Sequence, residues 1–448
     1  MRRWFGTDGI RGRVGIAPLT PEFVLHLGWA TARVLGAAGG RIAVVGKDTR
    51  RSGYMFESAL EAGFSAAGMD VLLLGPIPTP AIAHLTRSVG AAVGVVISAS
   101  HNPYGDNGIK FFGPDGRKLA DATEADIENA LAEPMEVVES RHLGGARRMS
   151  DARERYVEFC KASLPPQTSF AGMRLVLDCA HGATYAVAPR VFRDLGAEVI
   201  VIAADPDGLN INDGCGSMHP AQMIAAVREH GADYGFAFDG DGDRVLAADA
   251  SGRLYDGDDL LYVMARERAA RGMLTGSVVG TVMSNLGLEQ ALAAAGIGFE
   301  RVAVGDRHVL ARLDQIGGVL GGETSGHIIC LDRASSGDGI IAALEVLAAV
   351  RERGRGLAEL LAPLVKRPQL LRNVPLGAAS PEALMQDDDL ARVRATVEAR
   401  LGVQGRVLLR PSGTEPLLRI MVEGPELALV EDCVAALVAV VEERLALL

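Results

Sequence analysis

A serine and a histidine follow a run of aliphatic residues near position 100. Residues 95–97 are typical of a buried strand, and Asn102-Pro103 favours a turn directly after it. A hydroxyl at such a strand end can simply hydrogen-bond its own loop backbone. It can also act as a nucleophile, if a neighbour takes its proton or a metal polarises its oxygen. Both interpretations of Ser100 are open on this stretch alone.

Three aspartates, Asp239, Asp241 and Asp243, alternate with glycines after another strand-like run. Carboxylates so close repel one another unless a cation neutralises them, and Mg²⁺ prefers oxygen ligands. The glycines let the backbone curl so that alternate carboxylates converge. An EF-hand is excluded, because Arg244 and Ala250 stand where that loop needs glycine and glutamate. The stretch indicates a magnesium site, with an acidic solvated turn as the alternative.

The segment RPSGTEP near the C-terminus combines positive charge with small polar residues. It holds Arg410, Ser412, Gly413 and Thr414, and Arg419 follows shortly after. Their hydroxyls, backbone N–H groups and guanidinium groups could form a phosphate cradle. An ordinary surface turn beside an ion pair is the alternative. The sequence has no Walker A motif, so nucleotide binding is not indicated.

The segment GGETSGH, residues 321–327, is a weaker signal. Its Glu323, Ser325 and His327 could all hydrogen-bond hydroxyl groups, which suits the vicinal diol of a sugar. A polar β-turn is the alternative for so short a stretch.

Taken together, these residues favour phosphoryl transfer. That reaction needs a metal, cations around the phosphoryl oxygens and a group that handles the hydroxyl proton. The aspartates and Arg244 meet the first two needs, and His101 and Lys110 could meet the third. Lysine, unlike arginine, can lose its proton within reach of neutral pH. The Gly-x-Ser-x-Gly elbow of serine hydrolases is absent around Ser100.

Composition excludes several classes of protein. The net charge of −11 argues against a nucleic-acid or anionic-membrane partner. No window approaches the ~18 consecutive apolar residues of a transmembrane helix, and Asp8 and Arg11 interrupt any signal-peptide core. The five cysteines are dispersed without a CxxC pair, which predicts reduced thiols and a cytoplasmic location.

The order of predicted elements indicates how these groups are positioned. A chain of 448 residues can hold three or four domains at ~100–200 residues each. Strands and helices alternate until about residue 367, which predicts α/β domains with mixed, largely parallel sheets. We therefore expect three α/β domains and a smaller C-terminal α+β domain, divided as 1–150 with the Ser100 loop, 151–252 with the aspartate loop, 253–366 with the GGETSGH loop and 367–448 with the RPSGTEP loop.

The chemical groups are expected at strand ends. A predicted strand over 91–99 leads into the Ser100 loop, and one over 233–238 leads into the aspartates. The charged stretch 133–154 predicts an exposed connection, and residues 185–195 predict a single helix.

Five motifs, in this order and across nearly the full chain, resemble the α-D-phosphohexomutase superfamily: WFGTDGIRG, ISASHNPYGDNGIKFF, AFDGDGDRV, VGDRHV and RPSGTEPLLRIMVEG. The resemblance implies four domains around one central cleft, with the last domain mobile. Two positions depart from the family pattern. Thr324 replaces a more usual amide and His308 a more usual tyrosine, which affects contacts in the sugar loops.

The resemblance also implies a role for each candidate residue. Ser100 would carry a phosphate, which would hold one Mg²⁺ per subunit together with Asp239, Asp241 and Asp243. The other implied roles are Arg244 beside that phosphate, Arg11 holding the reacting region, His101, Lys110 and His327 handling protons, Glu323 and Ser325 contacting sugar hydroxyls, and Arg410, Ser412, Gly413, Thr414 and Arg419 binding the distal phosphate.

The implied reaction is the interconversion of glucosamine 6-phosphate and glucosamine 1-phosphate. Glucosamine 1,6-bisphosphate, or a similar hexose bisphosphate, would be intermediate and activator, and the product would feed UDP-N-acetylglucosamine and cell-wall precursor synthesis. Alternatives are a mutase for glucose or mannose phosphates, a noncatalytic phosphosugar-binding regulator and a metal-dependent phosphatase. The expected partners are small-molecule sugar phosphates, without nucleic acid or membrane, and a homodimer is one option for the oligomeric state.

Overall fold

The computed structural model of the protein describes residues 3–6, 8–37, 39–377, 379–411 and 416–447. Its strands form four sheets that follow one another along the chain. Within the described ranges, none of the helices combines the length and apolar character needed to cross a bilayer.

The first sheet has six strands in the order β1-β5-β4-β2-β3-β6. Its centre is parallel, while β5 runs antiparallel to both β1 and β4. The strands are β1 (Ile10–Arg13), β2 (Ile42–Lys47), β3 (Asp70–Pro76), β4 (Val93–Ile97), β5 (Asp106–Phe112) and β6 (Ala146–Arg148). The helices are α1 (Pro21–Ala37), α2 (Arg51–Ala66), α3 (Thr79–Ser88) and α4 (Asp121–Ala130), with a 3-10 turn at Ser140–His142.

The predicted exposed connection over 133–154 is wrong at two places. Residues Ala146–Arg148 form β6, which pairs in parallel with β3, and a helix begins at Ala152. Asp70 accepts a hydrogen bond from the Gly145 backbone N–H at 2.7 Å and helps to hold this edge. All three side chains of β6 are exposed, so the pairing involves only the backbone and leaves no hydrophobic signal in the sequence.

The second sheet has the order β11-β10-β9-β7-β8, parallel from β9 to β8 and antiparallel elsewhere. The prediction of a single helix over 185–195 is wrong: the structure has a 3-10 turn at Ala183–Ala186 and then a helix that starts beside Pro189. The helix starts there because proline is tolerated only in the first turn of a helix. The strands are β7 (Arg174–Asp178), β8 (Glu198–Ile202), β9 (Tyr234–Phe238), β10 (Val245–Asp249) and β11 (Leu254–Tyr255), and the helices are α5 (Ala152–Ala162), α6 (Ala188–Asp194) and α7 (Ala221–Glu229).

The third sheet has the order β13-β12-β14-β15, in which only β15 is antiparallel to its neighbour. Its strands are β12 (Val278–Thr281), β13 (Phe299–Val302), β14 (Leu320–Gly322) and β15 (Ile328–Cys330). Its helices are α8 (Gly257–Ala270), α9 (Leu286–Ala294), α10 (Asp306–Ile316), α11 (Gly339–Arg353) and α12 (Leu357–Leu360).

The fourth sheet is entirely antiparallel, in the order β16-β18-β17. Its strands are β16 (Gln369–Pro375), β17 (Arg406–Pro411) and β18 (Leu417–Glu423). Its helices are α13 (Pro381–Met385), α14 (Asp388–Leu401) and α15 (Leu427–Leu447), with a 3-10 turn at Gly402–Gln404. The predicted fold class is confirmed, and the exact domain boundaries stay predictions.

The buried side chains show how the four units are joined. One hydrophobic cluster runs through the first three units, with Leu85, Phe236 and Leu344 among its members. The fourth unit has a separate cluster around Leu418 and Leu437. The first three sheets therefore share a core, and the fourth has its own.

Candidate active site

The Ser100 loop follows β4 and turns sharply. Ser100 is 1% exposed and has a φ of 53°, which is the left-handed region. Its Oγ donates a hydrogen bond to Asp239 Oδ2 at 2.6 Å. Ser98 Oγ accepts from the Ser100 backbone N–H at 2.9 Å and donates to Asp48 Oδ2 at 2.6 Å. Ser98 is therefore the hydroxyl that holds the loop backbone, and Ser100 faces the aspartates.

The three aspartates lie between β9 and β10 and converge as predicted. One ligand atom from each of Asp239, Asp241 and Asp243 lies within 4.8 Å of the others, and all three residues are buried. Burial and the two neighbouring carboxylates raise the pKa of Asp239 well above its usual range. Among the described residues, Asp241 Oδ1 and Asp243 Oδ1 are buried and have no hydrogen-bond partner. Such orphaned carboxylate oxygens fit a hard cation such as Mg²⁺.

Lys110 on β5 places its ammonium group against these carboxylates. Its Nζ lies 2.9 Å from Asp241 Oδ2 and 3.2 Å from Asp8 Oδ2. Burial alone would lower the pKa of Lys110, but the carboxylates of Asp241 and Asp8 outweigh it and raise that pKa. Thr79 also donates to Asp241 Oδ2, at 2.7 Å. Lys110 is thus a fixed positive charge in this arrangement.

The two histidines of the site have opposite environments. His101 Nδ1 lies 3.3 Å from Ser100 Oγ, and burial and the positive charge of Arg244 lower the pKa of His101 to about 4. His327 Nδ1 lies 3.5 Å from Asp243 Oδ1. Burial alone would lower the pKa of His327, but Asp243 raises it to about 9. At neutral pH, His101 can accept a proton and His327 already carries one.

Two arginines line the same cleft as Ser100. The Arg244 backbone N–H donates to Asp239 Oδ1 at 3.2 Å, and Arg244 Nε is buried with no hydrogen-bond partner in the part of the chain that the structure describes. Arg11 lies on β1 and hydrogen-bonds Asp8. Both arginine side chains therefore border the space in front of Ser100, where an anionic group would meet them.

The cleft has a volume of about 630 Å³ and is lined by all of the first three units. From the third unit, Glu323 lines it and accepts a hydrogen bond from the Gly305 N–H at 2.9 Å. Ser325 is exposed in the turn between β14 and β15. The Thr324 hydroxyl instead donates to Asp258 Oδ2 at 3.1 Å. The side chain at this position, one of the two that depart from the family pattern, therefore points toward Asp258.

Three contributors were missed from the sequence: Asp8, Lys118 and Asp306. Asp8 contacts Lys110, Lys118 and Arg11, and Lys118 also pairs with Asp306 of the third unit. These residues join the first and third units beside the cleft. Asp8 and Asp306 lie in motifs that carry the resemblance, so a signal existed for these two, whereas Lys118 lies outside those motifs.

Two of the residues predicted to bind the distal phosphate, Arg410 and Arg419, lie on the fourth sheet. Arg410 and Arg419 are directly opposite each other on β17 and β18. Burial and the charge of Arg419 lower the pKa of Arg410. Like charges opposite each other destabilise a strand pair, so this pair suits an anion. The predicted residues Ser412, Gly413 and Thr414 lie outside the described residues.

Comparisons with known proteins agree with this arrangement. Family models of phosphoglucomutase/phosphomannomutase alpha/beta/alpha domains I, II and III match residues 2–137, 154–252 and 256–367, and the model of the C-terminal domain matches 371–440. The phosphoglucosamine mutase of Alkalilimnicola ehrlichii is 59% identical over 445 residues, covering 99% of this chain and 98% of that protein. The phosphoglucosamine mutase of Xanthomonas campestris pv. campestris is 56% identical, covering 99% of each.

Solved structures share the fold at lower identity. A phosphoglucomutase/phosphomannomutase family protein from Burkholderia thailandensis has a TM-score of 0.79 at 24% identity, over 98% of this chain and 96% of that one. Aspergillus fumigatus N-acetylphosphoglucosamine mutase, in complex with GlcNAc-6P and magnesium, has a TM-score of 0.71 at 17% identity, over 98% and 96%. With four family domains matched in order and relatives more than half identical along almost all of its length, the chain belongs to the phosphoglucomutase/phosphomannomutase family of the α-D-phosphohexomutase superfamily.

Proposed function

We propose that this protein is a mutase that interconverts glucosamine 6-phosphate and glucosamine 1-phosphate. The observation that carries the proposal is the buried Ser100 hydroxyl, which faces three clustered carboxylates at the floor of a cleft bordered by arginines. The choice of amino sugar is supported by the relatives named phosphoglucosamine mutase, which cover nearly the whole chain.

The proposed reaction has two phosphoryl transfers. In the first, the bond between Ser100 Oγ and phosphorus breaks, a bond from phosphorus to the free sugar hydroxyl forms, and the hydroxyl proton passes to a base on the protein. The Ser100 Oγ that leaves takes up a proton. The hexose 1,6-bisphosphate then turns round, the bond between its other phosphorus and the sugar oxygen breaks, a bond from that phosphorus to Ser100 Oγ forms, and the serine proton passes through the protein to the sugar oxygen. The candidates for moving protons are His101, Lys110 and His327: His101 would accept the hydroxyl proton, while Lys110 and His327, which already carry protons, would donate to the oxygen that leaves.

Asp239, Asp241 and Asp243 would hold Mg²⁺ together with the phosphate on Ser100. When bound, the ion neutralises charge on the phosphoryl oxygens. Arg244 and Lys110 add positive charge on the protein side, since both lie beside these carboxylates. Arg11 lines the same cleft and can hold the reacting region.

The other residues would bind the rest of the sugar phosphate. Glu323 lines the cleft and would accept hydrogen bonds from sugar hydroxyls, and Ser325 lies in the same turn. Arg410, Arg419 and the segment with Ser412, Gly413 and Thr414 would bind the phosphate that does not react. The setting we propose is the cytoplasm, where the product would feed UDP-N-acetylglucosamine and cell-wall precursor synthesis. The five buried free cysteines suit a reducing compartment.

The test is a panel of glucosamine, glucose and mannose 6-phosphates, each assayed for 1-phosphate formation with trace bisphosphate and Mg²⁺. We expect the highest kcat/KM for glucosamine 6-phosphate. A preference for glucose or mannose phosphate would instead indicate a mutase for those sugars. Release of inorganic phosphate without isomerisation would indicate a phosphatase, and binding without turnover would indicate a regulator.

A further inference from the structure

Two side chains from different units hold the backbone of the Ser100 loop. Arg50 precedes α2 in the first unit, and Asn212 lies between β8 and α7 in the second. Arg50 Nη2 donates to the carbonyl oxygens of Ser100 at 3.0 Å and Asn102 at 2.8 Å. Asn212 Nδ2 donates to the same two oxygens, at 2.9 Å and 3.1 Å. We call these two side chains the carbonyl clamp.

The geometry satisfies every group involved. A carbonyl oxygen has two lone pairs, and each of these oxygens receives one hydrogen bond from Arg50 and one from Asn212. Arg50 is fully buried, and its charge is balanced by Asp48, whose Oδ2 accepts from Nε at 2.8 Å. The clamp is therefore a completed hydrogen-bond network inside the protein, which makes the loop rigid.

The clamp also sets the loop against the aspartates. A β-carbon at Gly240 would lie 2.6 Å from the Ser100 carbonyl oxygen and 2.8 Å from Asn212 Nδ2. The glycine between Asp239 and Asp241 thus packs directly on the clamp. Because Asn212 belongs to the same unit as these aspartates, its two hydrogen bonds fix the serine of one unit relative to the carboxylates of another.

We propose that Asn212 is a positioning residue for phosphoryl transfer at Ser100, acting with Arg50 through the backbone carbonyls of the loop. The inference rests on the proposed function for its chemical meaning. Asn212 touches the loop backbone and not the reacting oxygen, so its effect is on the placement of Ser100. A displacement of about 1 Å of a reacting group can cost about 100-fold in rate.

Two variants of Asn212 distinguish the effect of its hydrogen-bond donor from the effect of its side-chain shape. Asn212 has a φ of 59°, which glycine adopts freely, so Asn212→Gly removes the amide without straining the backbone. Asn212→Asp keeps the shape but replaces the donor with an oxygen that faces two carbonyl oxygens. The matched control is Gln167→Gly, at an exposed residue with a φ of 70°. Arg50 offers no clean variant, because its loss would leave Asp48 buried without its charge partner.

The experiment measures kcat, KM, thermal midpoint and hydrogen exchange of residues 101–106. We expect kcat to fall about 10–100-fold in Asn212→Gly and further in Asn212→Asp, with KM within about twofold and faster exchange in the loop. Gln167→Gly should match the wild type. If Asn212→Asp keeps wild-type kcat and exchange, Asn212 acts only by filling space and the proposal is wrong. If the wild type turns over no hexose phosphate, the proposed function fails, while the exchange comparison still tests the clamp.

Discussion

Ser100 and Arg410 lie in regions that are attached to the rest of the molecule in different ways. Ser100 sits where the first and second units meet, and those units share one hydrophobic core with the third. Arg410 lies on a strand of the fourth unit, whose core is separate. Ser100 is 1% exposed, whereas Arg410 is only partly buried.

The fourth unit contacts the third through polar groups. Arg406 donates to the carbonyls of Val282 at 2.8 Å and Ser284 at 2.6 Å, and the Asn285 side chain bonds both the N–H and the C=O of Arg367. The neutral bonds contribute about 0.5–1.5 kcal/mol each and the bonds from the guanidinium about 1.5–3 kcal/mol each. Water can replace such bonds, whereas it cannot replace the contacts of a shared apolar core. The difference indicates a division of labour. Under the proposed function, the region around Ser100 would make and break bonds from a fixed position, and the region around Arg410 would adjust its hold on the distal phosphate as the bisphosphate turns round.

The largest loss of turnover is expected at Ser100. Ser100→Ala should lower turnover by about 10⁴-fold or more, because the hydroxyl that would receive and give up the phosphoryl group is lost. Intact-mass measurement should show a phosphate adduct of about 80 Da on the wild type and none on the variant.

Ser98→Ala is the matched comparison for that variant. Its hydroxyl hydrogen-bonds the Ser100 N–H, so we expect slower turnover with the adduct retained. Full activity in Ser100→Ala would rule out the covalent mechanism.

The next effect is expected at the aspartates. Asp241→Asn removes one of three charges that would balance Mg²⁺ and also weakens the contact with Lys110, so turnover should fall about 10²–10³-fold. The Mg²⁺ concentration for half-maximal activity should rise. Asp194→Asn removes the same charge from an exposed helix position and should have no effect. Full wild-type activity after thorough chelation would contradict the metal assignment.

The contiguous motifs made Ser100 and the three aspartates predictable from sequence. The aspartates could be found because residues two positions apart in the chain converge through local backbone geometry alone. Ser100 could be found because it directly follows a strand-like run. Lys118 could not, because its partners Asp8 and Asp306 are 110 and 188 residues away in the chain. Such pairs form only when the first and third units come together, and a single sequence does not indicate which units contact each other.

The same reason explains why the carbonyl clamp escaped prediction. Arg50 and Asn212 are separated along the chain, and what they bind is backbone carbonyls, which leave no pattern in side-chain type. The edge strand at Ala146–Arg148 was missed for a related reason, since its exposed side chains carry no period. Sequence therefore predicted the chemistry of the site better than the parts that hold it in place.

A smaller effect, on apparent substrate affinity, is expected at Arg410 in the fourth unit. Arg410→Ala should remove charge-assisted hydrogen bonds of about 1.5–3 kcal/mol, which corresponds to about 10–100-fold in apparent affinity. Because one cradle must bind the unreacted phosphate in both orientations, KM for the 6-phosphate and for the 1-phosphate should rise together. Arg392→Ala, on an exposed face of α14, is the control. If the affinity falls in one direction only, or in neither, the two orientations do not share this site.

The smallest effect is expected at the polar connection between the third and fourth units. Asn285 caps α9 through the Gly287 N–H and also bonds the backbone of Arg367. Asn285→Ser keeps a capping oxygen but cannot reach both groups of Arg367, so α9 should be retained while the connection loosens. We expect faster hydrogen exchange at residues 366–369 and a loss of kcat/KM of about fivefold or less, since about 1 kcal/mol is involved. In Asn285→Ala the cap is lost as well, so the thermal midpoint should fall further than in the serine variant. A loss from Asn285→Ser as large as that from Asp241→Asn would mean that the fourth unit must be held as rigidly as the Ser100 loop, and the contrast between the two ends would not hold.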